Sequence, residues 1–474
     1  MISAPSFTDI TSPFFRQEKV RLFLEKNQLS EDLIAEEAEA RVKEAGEEYL
    51  IRRPDKVESQ GAYDKRLESA VLVNAYADGV DSYSSMIGAA GIALSDEAKN
   101  DRTEAIFAKA DQAGNSFEVF STKLFKEGVG RGAAYCVVDG PVKTGALTKD
   151  EAGKAGSRPW LSIFGPDQLL GWKESGGEVV EVRYYWVEPT AAAGYSEEMI
   201  WKVREYALDN GTVTAKTWTW DGSLSEPEEV RLSISVAPVV PFLPGAEVGL
   251  FLSHPPVSRL ASLTKAYYNS WSLQQNLGVI VRTPLLTVIG STVKEVLHSL
   301  ASVFSLDGDK TSVNAEYVEP TNVGAEFGWK DLEKIENAFR YWGVELERQN
   351  GTVLATTKII DNSRMVDKVR AWSGDLESTL QQVLVISEMF HGKTFPNNGV
   401  VVGTEYGVPS LTSEQVQLIK LAVDTGGLAG RQMFELIKIY IPQLADVSWE
   451  EVQDSMIQQN QAETFTGLDT GGES

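Results

Sequence analysis

The sequence has 474 residues, a length that corresponds to roughly three domains, and its 42% hydrophobic and 24% charged residues are the balance of a soluble globular protein. Its one cysteine, Cys136, excludes an internal disulfide framework and fits a reducing compartment. The net charge of −24 argues against tight nucleic-acid binding over the whole surface, which needs clustered Lys and Arg.

The charge is unevenly distributed along the chain. Residues 255–290 contain three bases and no acid, whereas residues 439–474 contain seven acids and no base. No run of about 18 apolar residues occurs, and the N-terminus lacks a basic segment followed by an apolar one. We therefore expect no membrane span and no secretory signal.

Residues 1–135 have a mainly helical pattern. Ser30 is placed to cap a helix that runs to about residue 50, because acids crowd the positions after it. Further helices are predicted over 63–88 and 102–128. The stretch GVGRGAAYCVVDG at 128–140 then places glycines between a helix and an apolar run. A dinucleotide loop needs the opposite order, strand before helix, so these glycines indicate a turn into a buried strand.

The pattern changes to strands between 158 and 245. Apolar and polar residues alternate there, and β-branched and aromatic types dominate. We read residues 139–158 before it as an exposed loop, and the prolines of VAPVVPFLPG place a domain boundary near 250.

Two long helices are predicted after the boundary, with a compact insert between them. The first covers 257–281, and Pro284 ends it. The insert has the apolar run LLTVIG, a helix with a capping box at Thr292 and Glu295, and AEYVEP as a strand. The second helix begins at Trp329 and is predicted to stop at Asn350-Gly351. One face of it carries an apolar stripe: Leu332, Ile335, Phe339, Trp342 and Leu346. From the sequence, this stripe serves equally as core within the chain or as a contact between chains.

The segment GTVLATTKIIDN at 351–362 separates this helix from another that is predicted from Ser363 onward. It is rich in β-branched residues, its only charged residues are Lys358 and Asp361, and no partner strand lies near it in the sequence. Unstructured loops of about 12 residues are uncommon in compact domains and tend to be functional.

No catalytic motif stands out. The histidines His254, His298 and His391 have no metal-ligand spacing, and Cys136 lies in an apolar run that predicts a buried, inert thiol. We therefore expect a protein that is not an enzyme and needs no cofactor or metal. A hydrolase with a dispersed acidic site is the alternative, because 68 carboxylates guarantee some close pairs.

The order of several blocks resembles the portal proteins of tailed bacteriophages. These blocks are RPWLSIFGPDQLLGW, VPFLPG, SLTKAYYNSWSLQQNLGVIVRTPLLTVIG, AEYVEPTNVGAEFGWKDLEKIENAFRYWGVELE and LATTKIIDNSRMVDKVRAWSGDLESTL. The similarity covers roughly residues 45 to 400. It implies an α+β, ring-forming fold with these parts: a wing at 1–250, stem helices at 251–282 and 329–348, a small α/β clip at 283–328, a tunnel loop at 349–362, a channel helix and return strand at 363–410, and a helical crown-like region with a disordered acidic tail at 411–474.

The resemblance also implies a function. Such proteins form a dodecameric ring at one capsid vertex of the virion, assembled in the host cytoplasm, through which double-stranded DNA is packaged and ejected. The implied partners are the terminase motor, a head-tail adaptor, and the major capsid and scaffold proteins, with no membrane. The alternative is another head-completion or tail ring without DNA in its lumen. Membrane association through the acid-free 255–290 segment is weakened by its mixed polar face.

Site residues follow from the resemblance and from the charges. At the tunnel loop they are Thr356, Thr357, Lys358 and Arg364; along the stem channel they are Lys330, Lys334, Arg340 and Arg348; at the clip they are Asp307, Asp309 and Lys310. For the stem bases an alternative is pairing along their own helix, for example Arg340 with Asp331 or Glu336.

Overall fold

The computed structural model describes residues 4–140, 158–191, 197–209, 211–281, 285–289, 314–318, 323–344, 355–404 and 406. It has the α+β composition expected from the sequence. Predictions for residues 139–158 fall mostly outside these ranges. Those for Thr292, His298, Asp307, Asp309, Lys310, Arg348 and the region 411–474 fall wholly outside them.

The N-terminal part is helical, with six helices where the sequence pattern suggested three. They are α1 (Glu18–Ile34), α2 (Ala38–Ala45), α3 (Gln60–Ser69), α4 (Ala75–Ala90), α5 (Asp101–Ala108) and α6 (Phe117–Arg131). The capping prediction for Ser30 was wrong, because Ser30 lies buried inside α1. The two longer predicted helices are each split where a polar side chain caps a new one: Asn74 accepts from the Ala77 amide, and Ser116 from the Val119 amide.

Fourteen strands are found in the described part of the chain. They are β1 (Ile92–Leu94), β2 (Ala134–Asp139), β3 (Trp160–Phe164), β4 (Leu169–Ser175), β5 (Glu178–Ala191), β6 (Glu197–Asp209), β7 (Thr212–Trp220), β8 (Glu228–Arg231), β9 (Val239–Phe242), β10 (Glu247–Gly249), β11 (Leu252–Ser253), β12 (Leu285–Ile289), β13 (Asn314–Val318) and β14 (Val400–Val402). The strands predicted over 158–245 are confirmed, whereas β8 has mainly charged residues and carries no apolar alternation.

The largest sheet is antiparallel, with the order β4-β5-β6-β7-β8. Its side chains alternate between two faces, as the pleat requires. Val182, Tyr184 and Tyr206 belong to the main core, while Leu170 and Val203 face a smaller cluster that Phe7 and Phe14 of the N-terminal segment help to cover. A second sheet, β3-β2-β9, packs against the helices.

The glycines at 128–132 have steric functions. A Cβ on Gly128 would overlap the ring of Phe242, and one on Gly130 would lie 2.8 Å from Cγ1 of Ile34. Gly132 ends α6 with φ +87°, a left-handed conformation that glycine adopts without strain. The chain then enters β2, whose residues from Ala134 to Val138 are all buried. The predicted turn into a buried strand is confirmed.

Three long helices complete the fold: α7 (Ser258–Val281), α8 (Val323–Arg340) and α9 (Ala355–Met389). The predicted extent of α7 is confirmed. The predicted bounds of α8 were wrong, because it begins six residues before Trp329 and ends at Arg340. Gly343, at φ +76°, forms the turn there, and the amides of Gly343 and Val344 bond to the carbonyls of Arg340 and Phe339.

The helix α9 also begins eight residues earlier than expected. Residues 355–362, which the sequence pattern suggested as a loop, are helical. β-branched residues disfavour helices only weakly, and context overrides that preference. One face of α9 packs into the core, where Val369, Leu376, Leu380 and Val383 are fully buried.

Candidate functional site

The helices α7 and α8 form an antiparallel pair held by aromatic contacts. Tyr267 in α7 packs on Phe339, with ring centroids 5.7 Å apart, and one turn later Trp271 meets Trp329 edge-on at 6.0 Å. Partners therefore move towards the start of α8 as the chain advances along α7. This is the geometry of an antiparallel helix pair.

The strands β12 and β13 follow α7 and precede α8, and they pair with each other. Their register runs antiparallel from Leu285 opposite Val318 to Ile289 opposite Asn314. The pairing brings the residue that follows α7 and the residue that precedes α8 to the same end of the two-stranded sheet. Residues 290–313, which lie between the two strands in the sequence, are outside the described ranges. The order of helix, strand, strand and helix in the described residues matches the expected order of these elements.

The apolar stripe of α8 packs within the chain. Leu332 is 1% exposed and Phe339 is fully buried, and both belong to the main core with Ile335 and Trp342 packed against it. The sequence left open whether this stripe meets another chain. In the described residues it serves as intrachain core.

Two acids of α8 are directed towards α7. The hydroxyl of Tyr267 donates to Oε1 of Glu336 at 3.1 Å, and the hydroxyl of Ser270 donates to Oδ2 of Asp331 at 3.0 Å. These carboxylates were the suggested partners of Arg340, whose Nη1 instead donates to the side-chain oxygen of Asn337 at 2.9 Å. The pairing alternative for Arg340 is therefore not seen with either acid.

The outer side of α8 exposes two lysines near its middle. Lys330 and Lys334 are exposed, and each lies two residues from Leu332, roughly 200° around the helix axis. Within the described ranges, neither lysine forms an ion pair. Exposed acids, Glu326 and Glu333, lie on the adjacent flank. The helix thus turns Asp331 and Glu336 towards α7 and exposes two lysines and two acids on its outer side.

The helix α7 is embedded in the N-terminal part and is the inner member of the pair. Asn269 accepts from the Ile51 amide at 2.9 Å and donates to the Tyr49 carbonyl at 2.7 Å. Arg66, which forms a buried ion pair with Glu58 at 2.7 Å, also reaches the Ser272 hydroxyl at 3.4 Å. This network fixes α7 to the preceding helices and leaves α8 on the outside.

The turn after α8 connects the helix pair to α4 and α9. Tyr83 of α4 donates its hydroxyl to the Trp342 carbonyl, and Nζ of Lys368 in α9 lies 3.8 Å from the centroid of the Trp342 ring. The cation–π contact holds a charge over the aromatic face. No sequence signal identified Lys368 or Tyr83, because their partners are distant along the chain.

The expected tunnel residues lie in the first turns of α9. Thr356, Thr357, Lys358 and Arg364 all belong to this helix. Thr357 and Arg364 are seven residues apart, about two turns, which places them on the same side of the helix axis.

Cys136 and His254, the side chains considered for catalytic chemistry, are packed against other groups of the fold. Complete burial raises the pKa of Cys136 far above its ordinary value, so its thiol stays protonated and unreactive. The His254 ring stacks on the Phe23 ring with 6.1 Å between the centroids, and burial lowers the pKa of His254.

Among the residues with described positions, no group of three or more His, Cys, Asp or Glu is placed to hold a metal ion. The same residues contain no helix with the length and apolarity needed to cross a membrane.

Comparisons with known proteins give distant likenesses in structure alone. No protein-family model matches the chain, and no curated protein matches it. It is similar to a chain in the neck of an empty gene transfer agent (GTA) particle computed with C6 symmetry. That likeness covers 82% of this chain and 95% of the other, with 11% identity and a TM-score of 0.41.

Two further chains from such particles have similar scores. One belongs to the virion of a native GTA particle, with 10% identity, 84% and 99% coverage of the two chains, and a TM-score of 0.39. The other is from the neck of a native particle computed with C12 symmetry, with 10% identity, 76% and 88% coverage, and a TM-score of 0.37. Because these TM-scores lie below 0.5, we build no argument on them.

Proposed function

We propose that this chain is a portal-type ring subunit that forms a conduit for double-stranded DNA at the unique vertex of a phage-like capsid. The observation that carries the proposal is the antiparallel pair α7–α8, with the paired strands β12 and β13 between the two helices in the sequence. In the portal family that the sequence blocks resemble, this arrangement is the stem with its clip. The proposed role is structural and non-enzymatic.

The charge arrangement of α8 suits the wall of such a conduit. Asp331 and Glu336 are engaged by hydroxyls of α7, which leaves Lys330 and Lys334 exposed on the outer side. DNA carries one negative charge per ~1.7 Å of axis, so sparse lysines in a chain of net charge −24 would guide the duplex without holding it. Arg340 and Arg348 are the remaining proposed stem bases.

The first turns of α9 are proposed as the constriction. Thr356, Thr357, Lys358 and Arg364 supply hydroxyls and positive charge there, next to the connection from the stem. Hydroxyls and bases are the usual phosphate contacts, and a small number of them allows sliding.

The proposed partners follow from the same family. Twelve copies would form the ring, the terminase motor would supply the energy for translocation, and Asp307, Asp309 and Lys310 at the clip would contact it. A head-tail adaptor and the major capsid and scaffold proteins would surround the ring, which would assemble in the host cytoplasm without a membrane.

Negative-stain imaging combined with the solution mass from light scattering tests this proposal. We expect a ring of about a dozen subunits with a central opening, alone or when the chain is co-expressed with its scaffold protein. A monomer under both conditions would contradict it. A closed ring, or one too narrow for duplex DNA, would favour a head-completion or tail ring instead.

A further inference from the structure

A buried carboxylate, Glu31, lies between α1 and α6, away from the proposed conduit. Its side chain is 7% exposed, and its Oε2 accepts from Nη1 of Arg131. Its other oxygen, Oε1, is buried and has no hydrogen-bond partner in the described part of the chain. A buried charged oxygen without a partner is costly, because the protein has removed its water without replacing it.

The guanidinium that faces Glu31 is shared with two more acids. Nε of Arg131 lies 2.7 Å from Glu127, and Nη1 lies 3.4 Å from Asp167. The side chains of Glu127 and Asp167 are 35% and 49% exposed, so water can solvate their charges. One positive charge therefore faces three carboxylates, of which Glu31 alone is deprived of solvent.

The surrounding elements supply little further compensation. From α4 and β2, the hydroxyls of Tyr76 and Tyr135 point at the carbonyls of Gly130 and Phe251. On α1 itself, Asp32 accepts from Tyr49 and Gln28.

Arg16, in the segment before α1, donates to the Asp167 carbonyl. Arg131 is thus the only cation that bonds to Glu31 among the described residues.

This environment favours the neutral form of the side chain. Burial raises the pKa of Glu31 to about 7, against the opposing effect of Arg131. A carboxyl whose pKa is raised by folding stabilises the folded state fully at pH values below its pKa in the unfolded chain. That contribution is lost as the pH rises through about 7.

We propose that Glu31 is a proton-binding site of the folded chain and that its ionisation loosens the contact of α1 with α6 and the turn at Asp167. The consequence reaches the large sheet through the N-terminal segment. Gln17, directly before α1, bonds to β4 through its side chain at the Trp172 amide and carbonyl, and Phe14 covers the outer sheet face. A rise in pH would weaken both the contact of α1 with α6 and the contact of this N-terminal segment with the large sheet.

Hydrogen exchange of the unmodified protein at pH 6 and pH 8 tests the proposal. After correction for the intrinsic exchange rates, the amides of α1 should lose about tenfold in protection at pH 8, the linkage expected for one proton. Amides of α9 that exchange by local opening serve as an internal reference, because the charged groups that act on Glu31 (Arg131, Asp167 and Glu127) lie outside that helix. Unchanged protection of α1 between the two pH values would overturn the proposal.

The substitution Glu31→Gln provides the second arm, with Glu36→Gln as the matched control on an exposed neighbour. Glu31→Gln should abolish the difference in α1 protection between pH 6 and pH 8, and Glu36→Gln should retain it. A Glu31→Gln protein that keeps the tenfold loss would assign the proton to another group and overturn the proposal. The exchange of the unmodified protein decides the matter by itself if the variant fails to fold.

Discussion

The phenol of Tyr267 in α7 donates a hydrogen bond to the carboxylate of Glu336 in α8, with 3.1 Å between the two oxygens. Tyr267 is 5% exposed, so its hydroxyl is bound to the neighbouring helix in place of water. The bond fixes the register of the helix pair and holds Glu336 away from Arg340, which lies one turn further along α8. This one contact therefore links the packing of α7 against α8 to the position of the Glu336 charge.

Replacing this hydroxyl should weaken the helix pair. Tyr267→Phe keeps the ring contacts with Phe339 and Trp271 but removes the donor to Glu336. We expect the free energy of unfolding to fall by about 1.5–3 kcal/mol, the range for a hydrogen bond to a charged acceptor. Urea unfolding measures the loss. An unfolding midpoint equal to that of the unmodified protein would contradict this role of the hydroxyl.

Two glycines in the helical region should respond to alanine with opposite signs. Gly343 has φ +76°, and a Cβ there would overlap Met365, so Gly343→Ala should destabilise by about 1–2 kcal/mol or more. Gly374 lies within α9 with open space around it, so Gly374→Ala should stabilise by roughly 0.5–1 kcal/mol. Thermal unfolding of the two variants tests the pair. A shift of the same sign in both would contradict the assigned turn.

Reversing the outer charges of α8 should affect DNA and leave the fold intact. The double substitution Lys330→Glu and Lys334→Glu changes exposed groups without ion-pair partners in the described region, so stability should change by less than about 0.5 kcal/mol. DNA packaged per particle should fall. The control is Lys56→Glu with Lys65→Glu, the same charge change at exposed positions of the N-terminal helical part. If both double variants package equal amounts of DNA, Lys330 and Lys334 do not line the conduit.

A single reversal tests the proposed constriction. Lys358→Glu places a negative charge in the first turns of α9, where the duplex is proposed to be most confined. We expect rings of normal size by imaging and impaired packaging, because phosphate repulsion acts at every step of passage. Normal packaging would show that Lys358 does not face DNA.

The sequence predicted the elements whose patterns are local. The alternation over 178–220 identified β5, β6 and β7, and the three-four spacing from Leu332 to Trp342 identified the buried side of α8. The splits at Asn74 and Ser116 were missed because apolar periodicity continues across both positions. Gly343 was missed because Asn350-Gly351 is the stronger dipeptide signal for a helix end.

The site was predictable only where it depends on composition. Lys330 and Lys334 could be chosen as exposed bases, because two residues on either side of a core position lie on the opposite side of a helix. The bonds of Tyr267 and Ser270 to Glu336 and Asp331 could not be predicted, since they join residues more than sixty positions apart. Local pairing rules favoured Arg340 instead.

A reconstruction of the assembled ring, with side chains resolved along α8, tests the proposed conduit most directly. We expect a continuous channel wide enough for duplex DNA, with Lys330 and Lys334 on its wall and α7 behind them. Rings in which these lysines face the outside, or in which no open channel exists, would contradict the conduit.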